Sequence, residues 1–223
     1  MNKILRSRLT ILLILFLLSF TSCIHRNPFR NDIHAFLEKD KIVAPAKNSI
    51  LFIGSSSFTL WTTLETDFPG YPIINRGFGG STIPDLTLYV NDIVIPYQPK
   101  QIFIYAGEND LATPENATAV EVLDRYKKLY QTIITGLPNA EVVFISIKPC
   151  PSRWHLESVI VDANQKIEAY IKTQPKSIFL DVHHAMLLND STVNPDLFRE
   201  GKLHMNEKGY DIWKKIIQLQ LMH

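Results

Sequence analysis

Cysteine is nearly missing from this chain: 223 residues contain two, Cys23 and Cys150. So small a number excludes a disulfide framework and a cysteine-rich metal site. One-sided charge is missing too, with 23 Lys and Arg against 22 Asp and Glu. Beyond residue 22 the balance is 20 basic to 22 acidic, so the basic footprint that nucleic acid demands is absent. The longest apolar run, Leu9 to Phe20, falls short of the roughly 18 residues that a membrane-spanning helix needs. No internal repeat and no low-complexity linker divides the chain. Its length suits one α/β domain, and 46% apolar content is enough for a full core.

What is present begins with a targeting segment. Lys3, Arg6 and Arg8 precede the apolar run, and small polar residues and Cys23 follow it. Phe20-Thr21-Ser22-Cys23 resembles a bacterial lipobox, in which the cysteine is lipidated and becomes the mature N-terminus, although Phe20 stands where Leu is usual. The expectation is a signal peptide over 1–22, a tether over 23–29 and one domain over 30–223. The alternative is an uncleaved signal anchor. Both place the folded part outside the cytoplasm, and the first attaches it to a membrane through the N-terminal lipid alone.

Five apolar runs follow, at 49–54, 72–75, 101–106, 141–146 and 177–181. Continuous apolar runs mark strands buried on both faces, as in parallel sheets. Helical stripes separate them. A first helix is expected over about 30–41, with Ile33, Phe36 and Leu37 at helical spacing. Val122, Tyr126, Leu129 and Ile133 share one face, opened by the capping box Thr118-x-x-Glu121 and ended by Gly136 and Pro138. Ile160, Ala163, Ile167 and Tyr170 form another stripe. Tyr210, Trp213 and Ile217 form the last, on a helix expected over about 207–221. Alternating strands and helices predict a three-layer α/β/α sandwich around a five-stranded parallel sheet.

In such sheets ligands bind beyond the carboxyl ends of the strands. The polar residues cluster there: Gly54-Ser55-Ser56-Ser57 after the first run, Asn75 to Ser81 after the second, Gly107-Glu108-Asn109-Asp110 after the third. A serine nucleophile needs exposure at a turn, a base, donors for an oxyanion and a group that orients the base. Ser56 fits the first need, although a serine triplet also serves simply to cap a helix. Glycine turns aim backbone N–H groups at anions, and an Asn amide donates without charge. Both residue types also make ordinary turns. His204, just before the last helix, is a candidate base. His183-His184 is a second histidine pair, but no further ligands stand at metal spacing around it. Residues 75–82 do not form Gly-x-Gly-x-x-Gly, and no acidic partner follows, which argues against a dinucleotide site. Cys150, in Lys148-Pro149-Cys150-Pro151, reads as a small loop residue. Arg153, Trp154 and His155 either line a pocket or pack a loop.

The order of these blocks resembles the SGNH hydrolases, also called GDSL-type esterases or lipases. Ile53-Gly54-Ser55-Ser56-Ser57-Phe58 with Trp61 matches the first block, Asn75 to Thr82 the second, Gly107-Glu108-Asn109-Asp110 the third, and Leu203-His204-Met205-Asn206 with Gly209-Tyr210 the last. The resemblance covers about residues 49–219. It implies a flavodoxin-like fold and hydrolysis of acyl or acetyl esters, with Ser56 as nucleophile, Gly80 and Asn109 as oxyanion donors, and His204 as base. Neither metal nor cofactor is implied. Acetylated carbohydrate, lysophospholipid and simple acyl esters are the substrates it leaves open. Within the family the likeness is to the platelet-activating-factor acetylhydrolase type.

One departure stands out. The family's acid, three residues before the histidine, is Gly201 here. Glu200 is the candidate third member, Asp196 is more distant, and a backbone carbonyl would serve a Ser–His dyad. The departure also raises a second expectation, a catalytically impaired binding lipoprotein on the same fold. A flavodoxin-like nucleotide binder is a third.

Overall fold

The computed structural model describes residues 28–113, 117–189 and 191–222. The targeting segment, Cys23 and the tether up to residue 27 lie outside the described residues. Among those described, no helix is long and apolar enough to cross a membrane. One folded unit spans Asn31–His223.

Its centre is a parallel sheet of five strands: β1 (Ile50–Gly54), β2 (Ile73–Gly77), β3 (Gln101–Tyr105), β4 (Glu141–Ile145) and β5 (Ser177–Leu180). Their spatial order is β2-β1-β3-β4-β5. The chain steps one way from β1 to β2, then returns past β1 to β3 and continues outward. The reversal opens a crevice at the carboxyl ends of β1 and β3, because their following loops diverge to opposite sides. The register sharpens this. Gly54 pairs with Gly77 on one side and with Tyr105 on the other, so three strands end level and release their loops side by side.

The apolar runs make this sheet because both of its faces are covered. Alternate residues point to opposite layers. On one face Phe52 stacks on Phe103 at 4.7 Å, and that layer continues through Phe58, Trp61 and Trp213. On the other, Phe144 meets Tyr126 edge-on at 4.8 Å. Tyr126 lies on a helix, Ala119–Gly136, that packs beside Glu157–Ile171. The capping box at Thr118 and Glu121 is present, and Val122, Tyr126, Leu129 and Ile133 are all buried. Ile160, Ala163 and Ile167 are buried as well, whereas Tyr170 sits at the edge of its stripe, half-buried. Arg30–Ile42 is helical as expected, with Ile33 buried.

Two features depart from the sequence reading. The last helix, Glu207–Gln218, ends before residue 221. Beyond it Leu221 turns back into the core, and Gln101 holds the tail by donating from Nε2 to the Gln220 carbonyl at 2.6 Å and accepting from Met222 N–H at 3.1 Å. A small antiparallel hairpin, Leu187–Asn189 with Thr192–Val193, also stands outside the main sheet. Strands of three and two residues are too short to show an alternation pattern.

Candidate active site

The first loop starts from a close contact of two strands. A Cβ on Gly54 would lie 2.2 Å from the Tyr105 carbonyl oxygen, so no side chain fits there. Ser55 N–H then donates to that same carbonyl at 3.1 Å, and the chain turns into the single helical turn Ser56–Thr59. Ser55 makes no side-chain capping bond, so capping does not account for the serines. Ser55 and Ser57 are buried and Ser56 alone of the three is partly open. Its Oγ lies 3.2 Å from His204 Nε2, across 148 positions of sequence.

The turn is pinned from two sides. Asn75 donates from Nδ2 to the Phe58 carbonyl at 2.9 Å and accepts from Gly77 N–H at 2.9 Å. Tyr210, on the last helix, donates from its hydroxyl to the buried Ser57 carbonyl at 2.9 Å. The sequence reading assigned neither role.

The second loop carries Gly80 at φ +86°, a left-handed conformation that glycine adopts without strain. Gly80 is exposed, and among the described residues neither its N–H nor that of Ser56 donates to a protein acceptor. The third loop is tied to the second. Asn109 donates from Nδ2 to the Ser81 carbonyl at 3.0 Å, and Asp110 accepts from Ile83 N–H at 3.0 Å. Arg125 pairs with the other Asp110 oxygen at 2.8 Å, though burial still pushes that carboxyl up. Asp110 therefore joins two loops, a role its place beside Asn109 did not reveal.

His204 sits on a loop closed by the bridge between Phe198 and Met205 and by Arg199 N–H donating to the His204 carbonyl at 2.8 Å. Burial lowers its pKa below the ordinary 6.5; Lys148, Arg199 and Arg153 lower it further, and Glu108 opposes them. Among the described residues no carboxylate pairs with its ring; the histidines that have such partners are His34, His183 and His184. Among the described residues, exposed Glu200 reaches no partner and Asp196 bonds only through its backbone. The structure thus does not bring Glu200, the candidate third member, to His204. Gly201 is exposed, with nothing within 4 Å of a Cβ placed on it.

Beneath these loops lies a buried charge cluster. Glu108 accepts from the Tyr105 hydroxyl at 2.7 Å and Lys148 Nζ at 2.9 Å on one oxygen, and from Arg153 Nη1 at 3.1 Å on the other. Burial works against the Glu108 carboxylate, but Lys148 and Arg153 outweigh it and hold the pKa below the usual carboxylate value. Arg153 stands in the turn Pro151–Leu156, where Trp154 packs against the core and His155 is exposed. Arg153 of these three enters the site. Cys150 is buried, its thiol 3.1 Å from both Ser152 Oγ and the Lys202 carbonyl, a loop residue as read. His183 and His184 pair with Glu157 and Asp181, and no group of three metal-ligand residues occurs among the described residues.

A three-layer α/β fold with Ser and His meeting over the switch point is the architecture of serine-dependent ester hydrolases. The model of the GDSL-like lipase/acylhydrolase family matches residues 54–212, and the chain belongs to that family. No curated protein matches the chain. Among solved structures it is similar to a GDSL-like lipase from Bacteroides thetaiotaomicron, at 23% identity and a TM-score of 0.73 over 84% of this chain and 96% of the other. A candidate acylhydrolase from Bacteroides fragilis is similar at 22% identity and 0.72, over 82% and 92%. A variant of an acetyl-xylooligosaccharide esterase from Geobacillus is similar at 18% identity and 0.60, over 79% and 94%. At these identities the likenesses speak for the shared fold.

Proposed function

We propose that this chain is an exported hydrolase of acyl or acetyl esters, with Ser56 as nucleophile and His204 as base. The observation that carries the reading is the 3.2 Å approach of His204 Nε2 to Ser56 Oγ. Ser56 Oγ attacks the ester carbonyl while His204 takes its proton, and the resulting imidazolium returns that proton to the leaving alcohol. The uncommitted N–H groups of Ser56 and Gly80 and the second hydrogen of Asn109 Nδ2 hold the oxyanion. Water, activated by His204, then frees the acid from Ser56. Among the described residues no carboxylate pairs with His204, so in this reading it works as half of a dyad. The low pKa suits this arrangement, because it keeps the imidazole in its basic form at neutral pH. Short acyl groups, including acetyl groups on carbohydrate, are the favoured substrates; the Geobacillus relative supports the carbohydrate side of that proposal. Lipidation at Cys23 and the acetylhydrolase type belong to the same reading, supported by the segment before Cys23 and by the block order.

The test is hydrolysis of p-nitrophenyl acetate by residues 30–223. Ser56→Ala is expected to lower kcat by about 10⁴-fold or more. Unchanged turnover in that variant removes Ser56 from the mechanism.

Gly201 motivates a second reading, a binding protein in which catalysis is impaired. Gly201→Asp meets no steric obstacle. Under the dyad reading, turnover rises less than about tenfold. A rise approaching the ~10⁴-fold worth of a triad carboxylate favours the impaired reading instead.

A further inference from the structure

The cluster around Glu108 sits directly under the groups that the proposed reaction uses, and its geometry fixes one of them. Arg153 can only donate hydrogen bonds, and a backbone carbonyl can only accept them. Arg153 Nη1 lies 3.2 Å from one end of the Asn109 amide, and the Ser81 carbonyl lies 3.0 Å from the other. The end facing Arg153 is therefore the oxygen and the end facing Ser81 the nitrogen, and the amide cannot flip without losing both bonds. The bond from a cation also draws electron density toward Oδ1, which makes the N–H groups better donors.

Arg153 is held in turn. The same Nη1 bonds Glu108 Oε1 at 3.1 Å, and Glu108 is itself 6% exposed and anchored by Tyr105 and Lys148. With one carboxylate between two cations, the cluster carries a net positive charge beneath the place where the oxyanion forms. Lys148 Nζ also donates to the Leu203 carbonyl at 3.1 Å, so the same carboxylate steadies the loop that carries His204.

We propose that Arg153 is a positioning residue of this site: it locks the Asn109 amide in its donating orientation, and Glu108 holds Arg153 in place. This inference rests on the ester hydrolase reading and adds to it a residue outside the four signature blocks.

The test is a double-mutant cycle with p-nitrophenyl acetate, using Arg153→Met, Asn109→Ala and the double variant. Arg153 has a partly exposed side chain, so its loss leaves the core intact. Arg153→Met is expected to lower kcat about 10- to 100-fold with little change in KM, somewhat less than the ~10²–10³-fold cost of deleting an oxyanion donor. Because Arg153 acts through Asn109, the double variant should match Asn109→Ala within about twofold when kcat is read on the pH plateau, where His204 is unprotonated in every variant. The acid limb of kcat/KM should also move to higher pH in Arg153→Met, since Arg153, Lys148 and Arg199 lower the His204 pKa and Glu108 raises it. Full multiplication of the two single losses, or unchanged kcat in Arg153→Met, overturns the proposal while leaving the hydrolase reading standing. A wild type that neither hydrolyses esters nor labels at Ser56 with a fluorophosphonate overturns both.

Discussion

At the scale of single residues, the pairing of Ser56 with His204 depends on what surrounds the imidazole. Burial and three cations destabilise its protonated form, and among the described residues no carboxylate opposes them by direct contact. A base must be unprotonated to act, so activity rises as pH increases through its pKa. A lowered pKa moves that rise to lower pH. The acid limb of kcat/KM for wild type is therefore expected below pH 6.5, read from initial rates across pH 4 to 8 on a substrate that does not itself titrate. A limb above 6.5 would mean that a carboxylate does reach the ring. The missing acid was legible in the sequence as Gly201. Its consequence was not, because Glu200 and Asp196 are near in sequence, and only in the folded chain is it seen that neither side chain bonds to His204.

At the scale of elements, four loops carry the candidate site, and partners keep the first three in register. Asn75 and Tyr210 hold the turn that carries Ser56, and Asp110 and Asn109 tie the third loop to the second. Tyr210→Phe removes the donor to the buried Ser57 carbonyl. An unpaired buried carbonyl costs about 1–3 kcal/mol, which for a domain of this size lowers Tm by roughly 2–12 °C. Thermal unfolding by circular dichroism measures it, and kcat should fall along with it because the turn that aims Ser56 loosens. Strands and long helices were readable because burial on both faces or one stripe leaves a periodic trace. The hairpin Leu187–Val193 left none. The Glu108 cluster was also invisible: Lys148 and Arg153 lie 40 and 45 positions from Glu108, and nothing local distinguishes a paired buried Lys148 from a solvated one. The Gly-x-Asn-Asp block did place Glu108 and Asp110 beside the site, yet it did not say that both face inward.

At the scale of the whole molecule, the sheet order decides where the loops converge, and the N-terminal segment carries the proposal of export. Produced in a bacterium that processes lipoproteins, the full chain is expected to incorporate labelled palmitate, and Cys23→Ala to abolish the label. Wild type that stays unlabelled would sink the lipid anchor while leaving the enzyme reading intact. From the sequence alone follow the layered α/β class, the five strands of the main sheet and which loops bear polar chemistry, because hydrophobic burial is periodic and turn chemistry is local. Only the folded chain shows that Ser56 and His204 meet, that among the described residues no acid joins them, and that Glu108 and Arg153 stand beside Asn109. Those are contacts between distant positions, set by sheet order and register, and no local pattern encodes them.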